Sequence, residues 1–168
     1  MLEADPRRLL VDGVSAAALM QVATIGDGGF PAVCSVWFHS GFEPDRLYFV
    51  SRPDREHAIN LRGDPRVAAS IALEVPAGLG DRVRGATLTG LAREIPDSDQ
   101  PALAAAFVVR WPRSADLLSP ARSLVTVPVS AAPAEIPRSR LYEIAVVDWV
   151  LFDEVNFPEQ PRRTVPAR

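Results

Sequence analysis

The sequence predicts a mainly β protein of the α+β class, with its strands arranged as an antiparallel barrel. About six runs of β-forming residues follow one another, and few of them are joined by the long helical crossovers that parallel strands need. Glycines lie inside one of the longest runs, where small barrels need bends or bulges. The length of 168 residues and the hydrophobic share of 48% fit one domain with a buried core.

The first part of the chain predicts a helix followed by a meander of three strands. Residues 5–19 have a helical pattern, since Asp5 is suited to cap a helix and Pro6 to its first position. Runs of β-forming residues come next, separated by a glycine-rich hairpin turn at 27–29 and by a second turn at 41–45. The three strands are MQVATIG, PAVCSVWFHS and RLYFVS.

The middle of the chain predicts a short helix and two further strands. Asp54 is suited to cap this helix, and a Gly-Asp-Pro sequence at 63–65 ends it. The strands cover residues 66–73 and 82–95, the second with bends or bulges at Gly85 and Gly90.

The segment after the fifth strand is less regular. A helix is predicted at 97–111, capped by Asp97 or Ser98, and a short helical turn at 114–118. Residues 119–140 contain four prolines and predict an irregular segment with a brief extended stretch at SLVTV. This segment is either a lid over a ligand site or a plain surface loop.

The end of the chain predicts one more strand and then a tail. Residues 141–155 have a strand pattern, in which a turn or bulge near Asp148 would split the strand in two. Residues 158–168 are rich in proline and arginine and predict a mobile tail that follows a domain of residues 1–157.

The composition excludes several kinds of site and partner. All 18 basic residues are arginines, so the chain has no lysine for a P-loop or a Schiff base. Cys34 is the only cysteine, and with two histidines we predict no metal site. The net charge of −3 argues against a nucleic-acid partner, and no run reaches the ~18 apolar residues of a membrane span. We therefore expect a cytoplasmic protein without nucleic-acid or membrane partners.

The residues from Ser51 to His57 carry the clearest sign of a binding site. A predicted strand ends at the Ser51 hydroxyl, Arg52 and Arg55 follow, and His57 lies in the first turns of the short helix. A hydroxyl, guanidinium groups and the N–H groups of a helix start together suit a phosphate group. The alternative is a charged loop that contacts only solvent.

Other reactive side chains are weaker candidates. Cys34 lies in a β-rich run, where a buried structural thiol is more common than a nucleophile. His39 ends a predicted strand and fits a surface role. The chain has no GxSxG or HExxH motif, so its catalytic residues remain unknown.

A set of short motifs follows the predicted strands in a fixed order. It comprises Pro31, Val36-Trp37-Phe38, a strand ending in Ser51, a basic helix ending in Asn60-Leu61, then Asp64-Pro65-Arg66-Val67 and Gly85. In this order and spacing, the set resembles the pyridoxamine 5′-phosphate oxidase-related, FMN-binding split-barrel proteins. The resemblance covers residues 20–95 well, and residues 104–118 and 141–157 further resemble a poorly characterised bacterial branch of that superfamily.

The resemblance implies a six-stranded antiparallel split β-barrel with short flanking helices, and a homodimer with two flavin sites between its subunits. It places the flavin ring against the second strand and the phosphate at the end of the third strand. The cofactor-binding residues that it implies are Cys34, Ser35, Val36, Trp37, Ser51, Arg52, Arg55 and His57. Many members of the family carry a lysine where this chain has His57, and a neutral imidazole supplies no charge.

The resemblance also implies a function. The leading interpretation is an FMN-binding protein that acts as a small oxidoreductase on an unknown small-molecule substrate. A deazaflavin-dependent reductase is the alternative enzyme, since related split barrels use that cofactor. A non-enzymatic flavin or haem carrier, or a barrel without a ligand, is a third interpretation.

Overall fold

The computed structural model describes residues 4–118 and 137–168, in which seven strands form one antiparallel sheet. The strands are β1 Leu19–Ile25, β2 Pro31–Gly41, β3 Arg46–Ser51, β4 Arg66–Glu74, β5 Arg84–Glu94, β6 Arg140–Asp153 and β7 Arg162–Pro166. The α-helices of the same described residues are α1 Pro6–Ala16, α2 Glu56–Gly63, α3 Gln100–Arg110 and α4 Ala115–Leu118.

Six of the strands close into a barrel. Their order is β3-β2-β1-β4-β5-β6, and β6 also pairs with β3, which closes the ring. The 14-residue length of β6 makes this closure feasible, because its first residues pair with β3 while residues 148–152 pair with β7. The prediction of a six-stranded antiparallel split barrel with short helices is therefore confirmed, with one additional strand.

The barrel interior is filled by side chains that alternate along each strand. In β4, for example, Val67, Ala69 and Ile71 are buried while the residues between them are exposed. This alternation follows from the two-residue period of a β-strand. Full burial of a large apolar side chain contributes about 1.5–3 kcal/mol, so the interior is the main source of stability. The largest fully buried side chains of this interior are Trp149, Tyr142, Phe38 and Phe49.

A bulge bends the barrel where β5 meets β6. The register shifts between Thr89 and Gly90, and β6 accommodates the shift with an additional residue at Val147. A Cβ atom on Gly90 would lie 2.6 Å from the Ala145 carbonyl oxygen, so only glycine fits there. The predicted bulge near Asp148 is thus present, but the prediction that it splits the strand is wrong.

Helices cover the two ends of the barrel. At one end, α1 buries Leu10 and Val14; the Asp5 carboxylate accepts a hydrogen bond from the Arg7 N–H at 2.9 Å, which confirms Asp5 as the cap. At the other end, α2 buries Ala58 and Leu61. We refer to these as the α1 end and the α2 end.

Helix α3 lies outside the barrel. It forms a second apolar cluster with the start of β6 and the end of β5, built on Ile95, Phe107, Leu118 and Leu141. Asp99 occupies its N-cap position without a side-chain hydrogen bond, so the predicted caps Asp97 and Ser98 are wrong.

Residues 162–166 correct the prediction of a mobile tail. They form β7, which pairs with the second half of β6, and Val165 is buried in the barrel core. The Arg168 carbonyl also accepts a hydrogen bond from the Asp45 N–H at 2.7 Å. The prediction failed because pairing with the preceding strand, β6, decides this structure, whereas the local proline and arginine content does not. The predicted irregular segment at 119–140 lies mostly outside the described residues.

Candidate functional site

The sheet opens where β2 separates from β3. Although β2 begins at Pro31, it pairs with β3 only over Phe38–Gly41. Within the described residues, the preceding stretch of β2 pairs with β1 alone, so its other edge faces the end of β3 and the start of α2. An unpaired strand edge presents backbone N–H and C=O groups that a ligand can bind.

The start of α2 faces this opening. Arg55 occupies the N-cap position and makes no side-chain hydrogen bond to the helix, so the N–H groups of the first turn lack a side-chain cap. These groups and the helix dipole favour an anion. The Arg55 side chain is exposed and makes no hydrogen bond or ion pair within the described residues, which leaves its charge available.

Ser51 and His57 form a hydrogen-bonded pair at the α2 end. The His57 Nε2 atom lies 2.7 Å from the Ser51 Oγ atom, and Ser51 is buried with 9% exposure. Burial lowers the pKa of His57, the Arg55 charge lowers it further, and the Glu56 carboxylate opposes them in part. The imidazole is therefore neutral at pH 7, and the structure brings together two of the residues proposed for the phosphate.

Arg52 is engaged elsewhere. Its Nε and Nη2 atoms donate to the Asp54 carboxylate at 2.9 and 2.8 Å. This pair neutralises much of the Arg52 charge and lowers the pKa of Asp54. Asp54 therefore does not cap α2, and the sequence prediction of this cap is wrong. Its carboxylate pairs with Arg52, which precedes the helix.

The four proposed β2 residues divide between two faces of the strand. Cys34 and Val36 point toward the barrel core, while Ser35 and Trp37 are exposed on the outside. Burial raises the pKa of the Cys34 thiol, and the Glu56 carboxylate raises it further, so the thiol is protonated and lies near the start of α2.

An aromatic pair borders the outer face of β2. Trp37 is 54% exposed, and its ring meets Trp111 edge to face with a centroid distance of 4.8 Å. The Trp111 Nε1 atom donates to the Phe38 carbonyl at 2.8 Å, and the Arg110 guanidinium lies 4.8 Å from the Trp111 ring centroid. Sequence reasoning missed Trp111 because only tertiary packing brings the end of α3 to β2.

The outer face of four neighbouring strands carries few charges. Rows of uncharged side chains cross β2, β1, β4 and β5, such as Ser35–Gln21–Ser70–Thr87 and Val33–Ala23–Ala68–Thr89. We call these two rows, with Trp37 and Leu19, the neutral face. The exposed apolar members include Val33 at 69%.

Residues 4–118 and 137–168 hold neither a metal-binding cluster nor a membrane-spanning helix. No group of three or more His, Cys, Asp or Glu side chains there is placed to hold a metal ion. No helix in these same ranges is long and apolar enough to cross a membrane.

Comparison with solved structures finds several barrels of the same fold. A haem-binding protein from Mycobacterium smegmatis has a TM-score of 0.70 and 15% identity, covering 99% of this chain and 60% of the other. An FAD-binding protein from Mesorhizobium loti has a TM-score of 0.60 and 17% identity, covering 85% and 89%. A protein described as an F420 reductase has a TM-score of 0.53 and 18% identity, covering 82% and 93%. At these identities the likeness establishes the fold.

Sequence comparison gives the family. No curated protein sequence matches the chain. The family model of pyridoxamine 5′-phosphate oxidase matches residues 8–152, which include all six barrel strands except the last residue of β6. The chain therefore belongs to the pyridoxamine 5′-phosphate oxidase family.

Proposed function

We propose that this protein binds FMN at the opening between β2 and α2 and acts as a flavin-dependent oxidoreductase, as a homodimer in the cytoplasm. The observation that carries the proposal is the uncapped start of α2 beside the Ser51–His57 pair, at the place where the sheet opens. Membership of the family and a fold shared with an FAD-binding protein support it.

The phosphate group of FMN fits the α2 end. The first-turn N–H groups of α2 supply donors without a competing side chain, and Arg55 supplies a cation that is not engaged within the described residues. Charge-assisted hydrogen bonds of this kind contribute about 1.5–3 kcal/mol each when shielded from water. Ser51 contributes its hydroxyl, held by His57 at 2.7 Å.

The flavin ring fits the free edge of β2. Its pyrimidine portion carries N–H and carbonyl groups that match the backbone groups of an unpaired strand. Ser35 and Trp37 border this edge on the outside, and Cys34 and Val36 border it on the core side. When bound, the flavin would accept or donate a hydride, and the protein would hold and orient it.

A second copy of the chain fits the neutral face. Exposed apolar side chains on a sheet face without charges are costly to leave in water, and two-fold association is the common way to cover them. The dimer predicts about twice the 18.2 kDa mass in light scattering, and Ser70→Arg, which places a charge within the face, should give monomers. A parent protein that stays monomeric at micromolar concentration would contradict the dimer.

Two other ligands are alternatives to FMN at this site. A deazaflavin carries a phosphate and a similar ring, so it fits the same contacts, and an F420 reductase shares the fold. Haem fits less well at this opening, because His57 is hydrogen-bonded to Ser51 and His39 lies opposite Tyr48, where β2 is paired with β3.

Identification of the bound ligand tests the proposal. The protein is purified and heated, and the released small molecules are identified by mass spectrometry. Ligand-free protein is then titrated with FMN, a deazaflavin and haemin. Release of FMN, or tight binding of FMN in preference to the other two, is expected. Release of haem or of a deazaflavin, or preferential binding of either, would overturn the FMN assignment.

A further inference from the structure

Arg140 lies beside the proposed phosphate site, although it is far from it in sequence. The pairing of β3 with β6 places Arg140 directly opposite Ser51. Residues that face each other in an antiparallel pair lie on the same side of the sheet, with Cβ atoms about 4.5–5.5 Å apart. The next pair on this side, Phe49 and Tyr142, confirms the geometry, because their rings stack at a centroid distance of 5.2 Å.

The Arg140 side chain is held in place but not saturated. Its Nε atom donates to the Glu94 carboxylate at 2.8 Å, and its Nη2 atom donates to Asp97. A guanidinium has five N–H donors, and within the described residues Nη1 makes no hydrogen bond. Its side chain is 24% exposed, so it reaches solvent at the α2 end.

The other cations of the site leave a gap that Arg140 fills. Arg52 is paired with Asp54, two residues away, and His57 is neutral and bonded to Ser51. Arg55 is then the remaining cation, and it approaches the site from the start of α2. Arg140 is paired as well, with Glu94 and Asp97, but it faces Ser51 across the pairing of β3 with β6. A phosphate dianion held by only one arginine would be poorly compensated, whereas two arginines on opposite sides match its charge.

We infer that Arg140 is a further binding residue of this site and donates to the phosphate group from the β6 side, opposite Arg55. The inference rests on the proposed phosphate site. Glu94 and Asp97 hold the guanidinium in the absence of a ligand, and Nη1 provides the donors that the phosphate takes. Glu94 also competes with the ligand, because a carboxylate beside the site attracts the same guanidinium.

The first experiment measures the affinities of FMN and riboflavin, which differ only by the phosphate, for the parent and for Arg140→Gln. Loss of one charge-assisted hydrogen bond predicts that FMN binds roughly tenfold more weakly, while riboflavin changes less than about twofold. Arg93→Gln is the matched control, since Arg93 pairs with Glu143 on the outer side of β5. Both affinities should stay at the parent values in the control.

A second variant gives an effect of opposite sign, which a merely structural role would not produce. Glu94→Gln removes the competing charge and keeps the side-chain shape, so FMN should bind about threefold more tightly, with riboflavin unchanged. In the double variant with Arg140→Gln, this gain should disappear, because the gain acts through Arg140. The melting temperature of each variant shows whether it is folded.

The outcomes separate the inference from the function on which it rests. If the parent binds FMN and riboflavin equally, the phosphate site itself is wrong, and the role of Arg140 is wrong with it. If the parent prefers FMN and folded Arg140→Gln prefers it just as strongly, the site stands and the inference about Arg140 is wrong. Persistence of the Glu94→Gln gain in the double variant would also overturn the inference.

Discussion

The two ends of the barrel differ in how completely their polar and charged groups are paired. At the α1 end, the Asp45 carboxylate is completely buried and receives two hydrogen bonds from Arg7 at 2.6 Å and one from Trp149 at 2.8 Å. At the α2 end, Ser51 has one close side-chain partner, His57, and the start of α2 lacks a side-chain cap. Asp45 precedes β3 and Ser51 ends it. One short strand therefore joins a site whose charged groups are paired to a site that keeps unpaired donors.

The difference separates stability from binding. A buried carboxylate must be compensated on every side, because an unpaired buried charge is costly. Such a site holds α1, β6 and the end of the chain together but has no donor left for a ligand. The α2 end keeps donors that no neighbour uses, which costs stability and leaves a place for an anion. Changes at the first end should therefore alter folding, and changes at the second should alter binding.

The largest effect is expected at Asp45. Asp45→Asn removes the charge and leaves the Arg7 guanidinium, which is 14% exposed, without its partner. Breaking a buried pair in this way costs about 3–5 kcal/mol of unfolding free energy, measured by urea denaturation. Glu43→Gln, which removes an exposed ion pair with Arg168, is the control and should change little.

The pH dependence of stability gives a second readout of the same pair. Burial acts to raise the pKa of Asp45, but the hydrogen bonds from Arg7 and Trp149 outweigh it and lower the pKa. Because the pKa is lower in the folded state, this stabilisation is present above about pH 3.9 and is lost as the pH falls through the folded-state pKa. Asp45→Asn should lose this part of the acid dependence. An unfolding free energy of Asp45→Asn within about 1 kcal/mol of the parent value would contradict the proposed difference between the two ends.

The next effect concerns Arg55. Arg55→Ala removes the cation that is not engaged within the described residues, so FMN should bind roughly tenfold more weakly while riboflavin and the melting temperature stay unchanged. Arg8→Ala is the control, since Arg8 is also an exposed arginine but lies on α1, at the other end of the barrel. Equal weakening of FMN and riboflavin would show that Arg55 acts on the fold or the ring and not on the phosphate.

A smaller effect is expected from the protonation of His57. The bound phosphate favours the imidazolium, so the pKa of His57 should rise on binding from its lowered value in the free protein. FMN affinity should then increase by up to about tenfold as the pH falls from 8 toward 6, while riboflavin affinity stays constant. His57→Lys should bind FMN more tightly than the parent above neutral pH and show a flat profile in this range. An equally flat profile in the parent would exclude His57 as a phosphate contact.

The smallest effect is expected at Arg52. Since Asp54 already pairs with the Nε–Nη2 edge of its guanidinium, Arg52→Ala should weaken FMN binding by less than about threefold, measured by the same titration. Asp54→Asn should release Arg52 and strengthen FMN binding slightly. A tenfold loss in Arg52→Ala would show that the ion pair with Asp54 opens when the ligand binds.

Local sequence predicted most of the fold. The strands β1 to β5 and the helices α1 and α2 came from alternation, turn residues and caps such as Asp5, all of which act over a few residues. The β7 strand was missed because its partner, β6, decides its structure. A proline- and arginine-rich segment has no strand pattern of its own.

Part of the candidate site could also be predicted from local sequence. Ser51 and His57 are six residues apart, so a strand end followed by a helix start was enough to place them together. The position of Arg140 depends on the register between β3 and β6, and the orientation of Trp37 depends on Trp111. Neither contact leaves a signal in the neighbouring sequence, because both are formed by tertiary pairing.

The most direct test of the phosphate site is a calorimetric titration of ligand-free parent protein with FMN and with riboflavin at pH 7. The two ligands present the same ring, so their difference in affinity isolates the phosphate. Several charge-assisted hydrogen bonds at the α2 end predict that FMN binds roughly 100-fold more tightly. Equal affinities for FMN and riboflavin would contradict the account.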